Sequence, residues 1–497
     1  MSDQLLSGDR LSGSALGIAV VEFDASEGPV VHRVDGTITL SAEELMALSM
    51  AALPDSEGSD GVLGTQLLTF HFERPGRGPH LWCFSLYRAV RDPAVPRGVR
   101  QSALVLLAEH PLLDEYRAAV AHMADAPHRW RDTPCPHVES ATPRSMWRAG
   151  CCLGQDDLCP RCCRFLANAD ESVAAWMLKS EFSQPSGRST LPSPWRAMGT
   201  SDGRTVRVRP AYAQLLTAGL GASCWRLWQL LLTGESLRVF APSAQHASET
   251  AVALTSLIAP LPFATSRLRP HVTVHHPHAD ALAQGAWPAR GVLFSVANYF
   301  FLKGKTPARL ATLHLGEAPA APGSEGTPVS PEDAGAGAAG AVGVAACKAA
   351  PPQLDAVDIE VLVRTDEYVL RQLEMTREER TSTSTRGGDV RAALLQHHFG
   401  SLTASFLSPL EHFGHTGSLT LPCPKGATEP LALLERFDAE RFLDEVCRLK
   451  PQPLPRTLVP GRAELRTLYE RFLGTEHFWL WWEGRRERAV AESMRST

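Results

Sequence analysis

A chain of 497 residues is too long for one ordinary core, and its 44% hydrophobic and 21% charged content is that of a folded globular protein rather than a disordered one. The formal net charge of −5 and the lack of a long Lys/Arg stripe exclude a dedicated nucleic-acid binder. The basic "GRRER" near the carboxyl end reads as a solvated helix face.

In chain order, "LGIAVVEF" is an apolar strand, followed by the turn "DASEGP" and a second strand near "VVHRV". "SAEELMALSMAAL" is a helix in which Ser41 and Glu44 have the spacing of a capping box. "TQLLTFHFERP" and "LWCFSLYRAV", joined by Gly/Pro-rich "GRGPH", make a hairpin. "SALVLLAEH" is a fifth strand, and "LLDEYRAAVAHM" a closing helix. The order β-β-α-β-β-β-α defines a first domain within residues 1–123.

Residues 124–205 have little periodicity and are rich in Pro, Cys, Arg and Trp, as expected of a connector with a Cys-rich insertion. Over 206–316 the pattern alternates: strand "VRVR", one long helix "YAQLLTAGLGASCWRLWQLLLTG", strand "SLRVFA", helix "ASETAVALTSLIAPL", then strands "HVTVH", "GVLFSVAN" and "RLATLHL". Short, nearly all-apolar strands between helices indicate a largely parallel sheet covered on both faces. Residues 317–353 are Ala-, Gly- and Pro-rich and read as a flexible linker. From 354 to 497 the pattern is helical. The fold class is therefore α/β, with an α+β first lobe, an α/β central lobe and a mostly helical carboxyl-terminal region.

Several motifs suggest chemistry. "GTSDG" matches a nucleophile elbow, but Ser201 is followed by strand-like "RTVRVR" where an elbow needs a helix, so a hairpin turn is the better reading. "GAGAAG" (335–340) lies in low-complexity sequence without the strand and helix of a dinucleotide site. No phosphate loop and no H-E-x-x-H motif occurs, and no catalytic residue, cofactor site or metal site is assigned. In "CCLGQDDLCPRCCRF", Cys159 and Cys162 form a C-x-x-C pair that Cys151, Cys152, Cys163, Cys135 or His137 would have to complete for zinc. Regular pairing of two knuckles is missing, so the pair is a weak zinc candidate and an inert insertion is favoured. The imidazoles of "HVTVHHPH" read as a solvated strand end rather than a metal site. The scattered cysteines are expected to be free thiols. No apolar stretch is long enough to span a membrane and no secretory signal is expected, which points to a cytoplasmic protein.

Three blocks together resemble the DENN-domain family, in its DENN domain-containing protein 6 branch. They are "LGIAVVEFD" through "LPDSEGSDGVLGTQLLTFHF" to "LWCFSLYRAVRDPAVPRGVRQSALVLLAEHPL"; "LWQLLLTGESLRVFAPSAQHASETAVALTSLIAPLPFATSRLRPHVTVHH"; and "RTDEYVLRQLE" through "FLSPLEHF" to "LYERFLGTEHFWLWWEGRRE". A departure occurs in "GVLFSVANYFF", where Tyr299 stands in place of the family's Pro. The resemblance implies a longin-like upstream lobe, a central lobe and a helical downstream module. It also implies a guanine nucleotide exchange factor for a Rab-family small GTPase in membrane trafficking, with peripheral endosomal or vesicle association through partners. Magnesium and GDP/GTP would belong to the GTPase.

On motif matches, Pro54, Asp55, Glu235, Ser243 and Asn298 are the expected GTPase-contact positions, although Asn298 also suits a helix cap and Pro54–Asp55 a turn. A scaffold without exchange activity, or a GTPase-activating subunit offering Arg74, Arg77 or Arg97 in trans, is the alternative. A serine hydrolase is a remote one. The purified chain is expected to carry no stoichiometric zinc. Elemental analysis finding about one zinc per chain would instead make Cys159 and Cys162 ligands of a metal-stapled subdomain.

Overall fold

A computed structural model describes residues 15–36, 38–55, 64–74, 80–93, 95–108, 205–206, 212–285, 290–302, 309–315, 352–356, 358–378, 386–419 and 437–496. Ser201, Cys159, Cys162, Arg77, "GAGAAG" and the expected helix "LLDEYRAAVAHM" lie outside them.

The first lobe is one antiparallel sheet of β1 (Ala15–Asp24), β2 (Gly28–Gly36), β3 (Gly64–Phe72), β4 (Leu81–Arg91) and β5 (Val99–Ala108), in the order β2-β1-β5-β4-β3. The β1–β2 turn closes because the Asp24 carboxylate accepts from the Ser26 and Glu27 amides, while Gly28 takes φ +84, which disfavours a side chain. Helix α1 (Ala42–Ala52) starts at the expected capping box: Ser41 Oγ accepts from the Glu44 amide at 3.2 Å and Glu44 Oε2 from the Ser41 amide at 2.7 Å.

The sheet is buried on both faces. Alternate residues Cys83, Tyr87 and Ala89 of β4 pack in the cluster with Leu48 and Ala52 of α1. Trp82 and Phe84, pointing the other way, join Leu106 and Ala108 in the core shared with the rest of the molecule. Double-sided burial explains why "LWCFSLYRAV" is nearly all apolar in its first half rather than alternating.

The central sheet has the order β12-β11-β7-β10-β9, built from β7 (Ser236–Phe240), β9 (Leu268–Arg269), β10 (Leu293–Val296), β11 (Leu310–His314) and β12 (Gln353–Asp355). Strand β7 pairs parallel with β10 and β11, and β9 parallel with β10, while β12 is antiparallel to β11. Helices α2 (Tyr212–Thr217), α3 (Cys224–Leu232), α4 (Ala244–Leu254) and α5 (Ala279–Ala283) belong to this lobe. A two-residue strand β6 (Thr205–Val206) pairs antiparallel with β8 (Phe263–Ala264).

Two expectations are corrected. The single long helix before β7 is two, α2 and α3, because Gly219 takes φ +76 and the chain passes through a 3₁₀ turn at Gly221–Ser223. "HVTVH" is not a strand. Its first residue follows the short β9, and residues 271–275 run as a loop.

The helical region comprises α6 (Glu367–Glu378), α7 (Arg386–Thr416), α8 (Ala439–Val446), α9 (Arg462–Leu473) and α10 (Glu476–Ser496). The last two helices are broken at Gly474–Thr475, where Thr475 Oγ1 accepts from the Phe478 amide and caps α10. The aromatic residues of "FLSPLEHF" and "HFWLWW" pack largely on one another and on their neighbours. Phe406 stacks on Tyr469 at 4.2 Å, and Phe437 meets Phe442, Phe478 and Trp482.

One attachment to the central lobe runs through α3. Trp225 Nε1 donates to His398 and Trp228 Nε1 to Thr403 Oγ1. The fully buried Gln229 accepts from the amides of Leu362 and Val363 at 2.8 and 2.9 Å and donates to the Glu360 carbonyl. Gln229→Ala leaves two buried amides without that acceptor, and each such loss costs about 1–3 kcal/mol. A destabilisation of ~2–4 kcal/mol in urea unfolding is expected. A change below ~1 kcal/mol would mean that the 359–363 segment does not depend on this side chain.

Candidate interlobe site

The parallel strands β7 and β10 end at Phe240 and Val296, and the chain leaving each strand meets the first lobe there. Carboxyl ends of parallel strands are where this architecture places functional groups. Pro54 and Asp55, immediately after α1, reach the same place. Asp55 Oδ2 accepts from the Val274 amide at 2.6 Å, and its carbonyl accepts from Asn298 Nδ2 at 2.8 Å. Asn298 Oδ1 accepts from the Phe300 amide, so it caps the 3₁₀ turn Tyr299–Leu302 as well as clasping Asp55. That turn is held from below by the buried Arg238 of β7. Its guanidinium donates to the Phe301 carbonyl and to Thr312 Oγ1, and burial lowers its pKa to about 10. Tyr299 rests its ring on Phe240 at 5.0 Å.

Ser243 begins α4 by accepting from the His246 amide at 3.4 Å, and it donates to Gln66 Oε1 on β3. The next turn of α4 covers the open edge of β3. Gln245 Oε1 accepts from the Leu67 amide at 2.9 Å, and Ser248 Oγ from the Thr69 amide at 3.5 Å. Pro54, Asp55, Ser243 and Asn298 are therefore gathered on the lobe junction.

Glu235 is not with them. It precedes β7 at the opposite end of the sheet, 3.8 Å from Arg471, and lines a cavity of about 560 Å³ with Arg267, Arg290, Arg309, Asp358 and Glu476. Charges of both signs balance there, and Arg267 is already paired with Glu476 at 2.6 Å.

Sequence reasoning missed the other half of the junction. Glu73, just beyond β3, lies 3.0 Å from the guanidinium of the buried Arg269 on β9. His276 and His278 stand 3.9 Å from its two carboxylate oxygens. His71 is fully buried beside Trp82, with His80 stacked at 6.0 Å. The expectation of a solvated "HVTVHHPH" run is corrected: His271 is buried and the His276 side chain nearly so, while His275 and His278 are exposed. The signal lay in the alternation within "HFE" and "RPHVTVHH", which pairs a carboxylate with a cation only once the lobes meet.

Burial works against the Glu73 carboxylate, yet Arg269, then His276, His80 and His278, hold it below the ordinary range. Arg269 supplies the cation this carboxylate faces. Among the described residues no group of three or more His, Cys, Asp or Glu is arranged to hold a metal ion.

Two of the arginines considered for presentation to a GTPase are committed within the first lobe. Arg74 pairs with Glu44 at 2.8 Å and donates to the Thr39 carbonyl, and Arg97 lies 4.2 Å above the Phe23 ring.

No family model matches the chain. It is similar along nearly its whole length to curated proteins: human Protein DENND6B, 26% identical over 94% of this chain and 78% of that protein; mouse Protein DENND6B, 25% identical over 96% and 80%; and chicken Protein DENND6A, 23% identical over 97% and 81%.

The clasp predicts an asymmetry between neighbours. Asp55→Ala removes a charged acceptor from the Val274 amide and is expected to cost ~1.5–3 kcal/mol in denaturant unfolding. Pro54→Ala should stay within ~0.5 kcal/mol, the range of a substitution away from such features. Equal effects of the two would show that the turn, not the clasp, carries the stability.

Proposed function

Because the chain belongs to the DENN-domain family, in its DENN domain-containing protein 6 branch, we propose that it is a guanine nucleotide exchange factor for a Rab-family GTPase, acting in membrane trafficking. In this reading the first lobe is longin-like, and the GTPase switch regions bind a groove between it and the central lobe. The observation that supports it is the junction itself. One core runs from Trp82 and Phe84 into the central lobe, and α4 closes the edge of β3, so the two lobes present one preset surface.

Exchange asks nothing of the exchanger beyond differential affinity. A surface that binds the nucleotide-free GTPase more tightly than the loaded one shifts the equilibrium by that difference, and drawing the switch segments away from magnesium and the phosphates releases GDP. The magnesium and nucleotide are the partner's. Within this scheme Asp55 and Asn298 act on the GTPase through the angle between the lobes, since Asp55 Oδ2 and the Asn298 amide group are committed to the clasp and to the turn it holds. Among the described residues no helix is long and apolar enough to cross a membrane. Peripheral association of a cytoplasmic protein with endosomal or vesicle membranes, through partners, completes the proposal.

A GTPase-activating role would need an arginine delivered in trans. The pairing of Arg74 with Glu44 and the seat of Arg97 on Phe23 disfavour those two for it.

The test is fluorescent-GDP loss from a panel of Rab GTPases with the intact chain. At least one Rab should lose GDP ~10-fold faster or more, and Asn298→Ala should cut that gain several-fold, since ~1.4 kcal/mol of lost differential binding is a factor of ten. No acceleration across the panel, or accelerated phosphate release in its place, would sink the exchange reading.

A further inference from the structure

The loop 270–278 is anchored to the central lobe at one end and to the first lobe at the other. Ser295 Oγ donates to the Pro270 carbonyl and the Ser295 carbonyl accepts from the Val272 amide, both from β10. Two residues further on, the Val274 amide is held by Asp55. The turn beyond it is stabilised by a bond from the His278 amide to His276 Nδ1 at 3.1 Å. This bond fixes the protonation state. A ring nitrogen that accepts carries no proton, so His276 is neutral here, with its hydrogen on Nε2. Nε2 is buried and makes no hydrogen bond.

A second proton on His276 must go on Nδ1, where it would face the His278 N–H, donor against donor. The surrounding charges determine whether the closed seam can accept that proton. From β3 comes His71 and, just beyond it, Glu73, with the neighbouring Arg74 already taken by Glu44; just before β4, His80; from β9, Arg269. The loop itself brings His271, His275 and His278, Asp55 sits on the Val274 amide, and Asp280 on α5 is exposed. Glu73 would attract an imidazolium from 3.9 Å, but Arg269 is already 3.0 Å from the same carboxylate and repels it. Attraction is shared while repulsion adds.

We propose that this seam is a proton-operated latch: uptake of protons by His276 and its neighbours frees the 270–278 loop from the first lobe in acid, and the loop closes again at neutral pH while the core between the lobes stays shut. The inference does not depend on what the junction binds.

Burial lowers the His276 pKa to about 4, with Arg269 adding to it against the pull of Glu73. Burial likewise brings His271 to about 4, and, with Arg269, places His71 well below its ordinary value and His80 below it. A histidine whose closed-state value is depressed contributes stability that is present above its open-state value near 6.5 and is lost as the pH falls. Between about pH 7.5 and about pH 5.5, an imidazole moving from about 4 closed to ~6.5 open favours opening roughly tenfold.

The experiment is hydrogen–deuterium exchange on the intact chain at about pH 7.5 and about pH 5.5, corrected for the intrinsic pH dependence of exchange. Peptides covering residues 270–278 should open roughly tenfold or more in acid, while those covering β7 stay protected. His276→Asn, whose amide oxygen keeps the acceptor without titrating, should lower that acid gain roughly tenfold. His276→Ala, which loses the acceptor, should be open at both values, so a folding defect in one variant leaves the other informative. The latch is overturned if the seam shows no acid gain, if β7 opens in step with it as in global acid unfolding, or if His276→Asn opens in acid as the wild type does.

Discussion

The unpaired edge of β3 is the constraint on which the rest of this structure depends. An edge strand presents a row of amides and carbonyls that must be paired, covered or charged. Here they are covered by α4, whose Gln245 and Ser248 take the Leu67 and Thr69 amides. The same approach buries Trp82 and Phe84 against the central lobe. Neither lobe's surface is complete without the other, because the first sheet would otherwise expose an apolar face and an open edge together. The functional proposal depends on this: a partner surface spanning two lobes is useful only if their relative position is set before binding.

Setting that position costs buried polar groups, and two of them, Arg238 and Gln229, are matched to partners on distant segments. Arg238 crosses from the middle of the central sheet to the Tyr299–Leu302 turn, which carries Asn298, which clasps Asp55. Gln229 does the same at the other face by fixing residues 360–363 of the helical region. Gln229 spends its amide on three backbone groups of a distant segment, and Arg238 divides its guanidinium between the Phe301 carbonyl and the Thr312 hydroxyl. A hydrophobic side chain at either position would fill space but leave those amides and carbonyls unanswered. The buried polar residues therefore specify arrangement while the aromatic clusters supply area.

Most elements were legible because their signals are local. The capping box of Ser41 and Glu44 and the apolar runs of β4, β7 and β10 depend only on neighbours in sequence. The positions of Asp55, Ser243 and Asn298 came from family motifs, and they meet at one junction. Glu235, drawn from the same kind of match, stands at the opposite end of the sheet, since a motif does not say which end of a strand its residue occupies. Strand β12 was not foreseen, because it pairs with β11 across an Ala/Gly/Pro-rich stretch and has only three residues of its own pattern. The Glu73–Arg269 seam was also hidden. Its partners are separated by the whole connector, and in isolation each histidine of "HVTVHH" looks like a residue for solvent.

Three histidines are instead used as acceptors, and this ties the local geometry at each to one protonation state. His276 accepts from the His278 amide at the junction, His398 from Trp225 on α3, and His477 from the Ala264 amide where α10 meets β8. Burial lowers all three, His276 and His477 to about 4. Each therefore contributes stability that is complete above about 6.5 and falls away below it as the unfolded or opened chain takes up protons that the closed form refuses. They do not fail alike. His398 and His477 join segments within the large continuous core, where opening would expose the aromatic clusters around Trp225 and Phe478. His276 sits on a loop whose first-lobe attachments are polar, the Val274 amide and the Glu73–Arg269 pair. Releasing this loop alone, with the Trp82–Phe84 core between the lobes left closed, exposes far less apolar area, so its cost of opening is the lowest of the three.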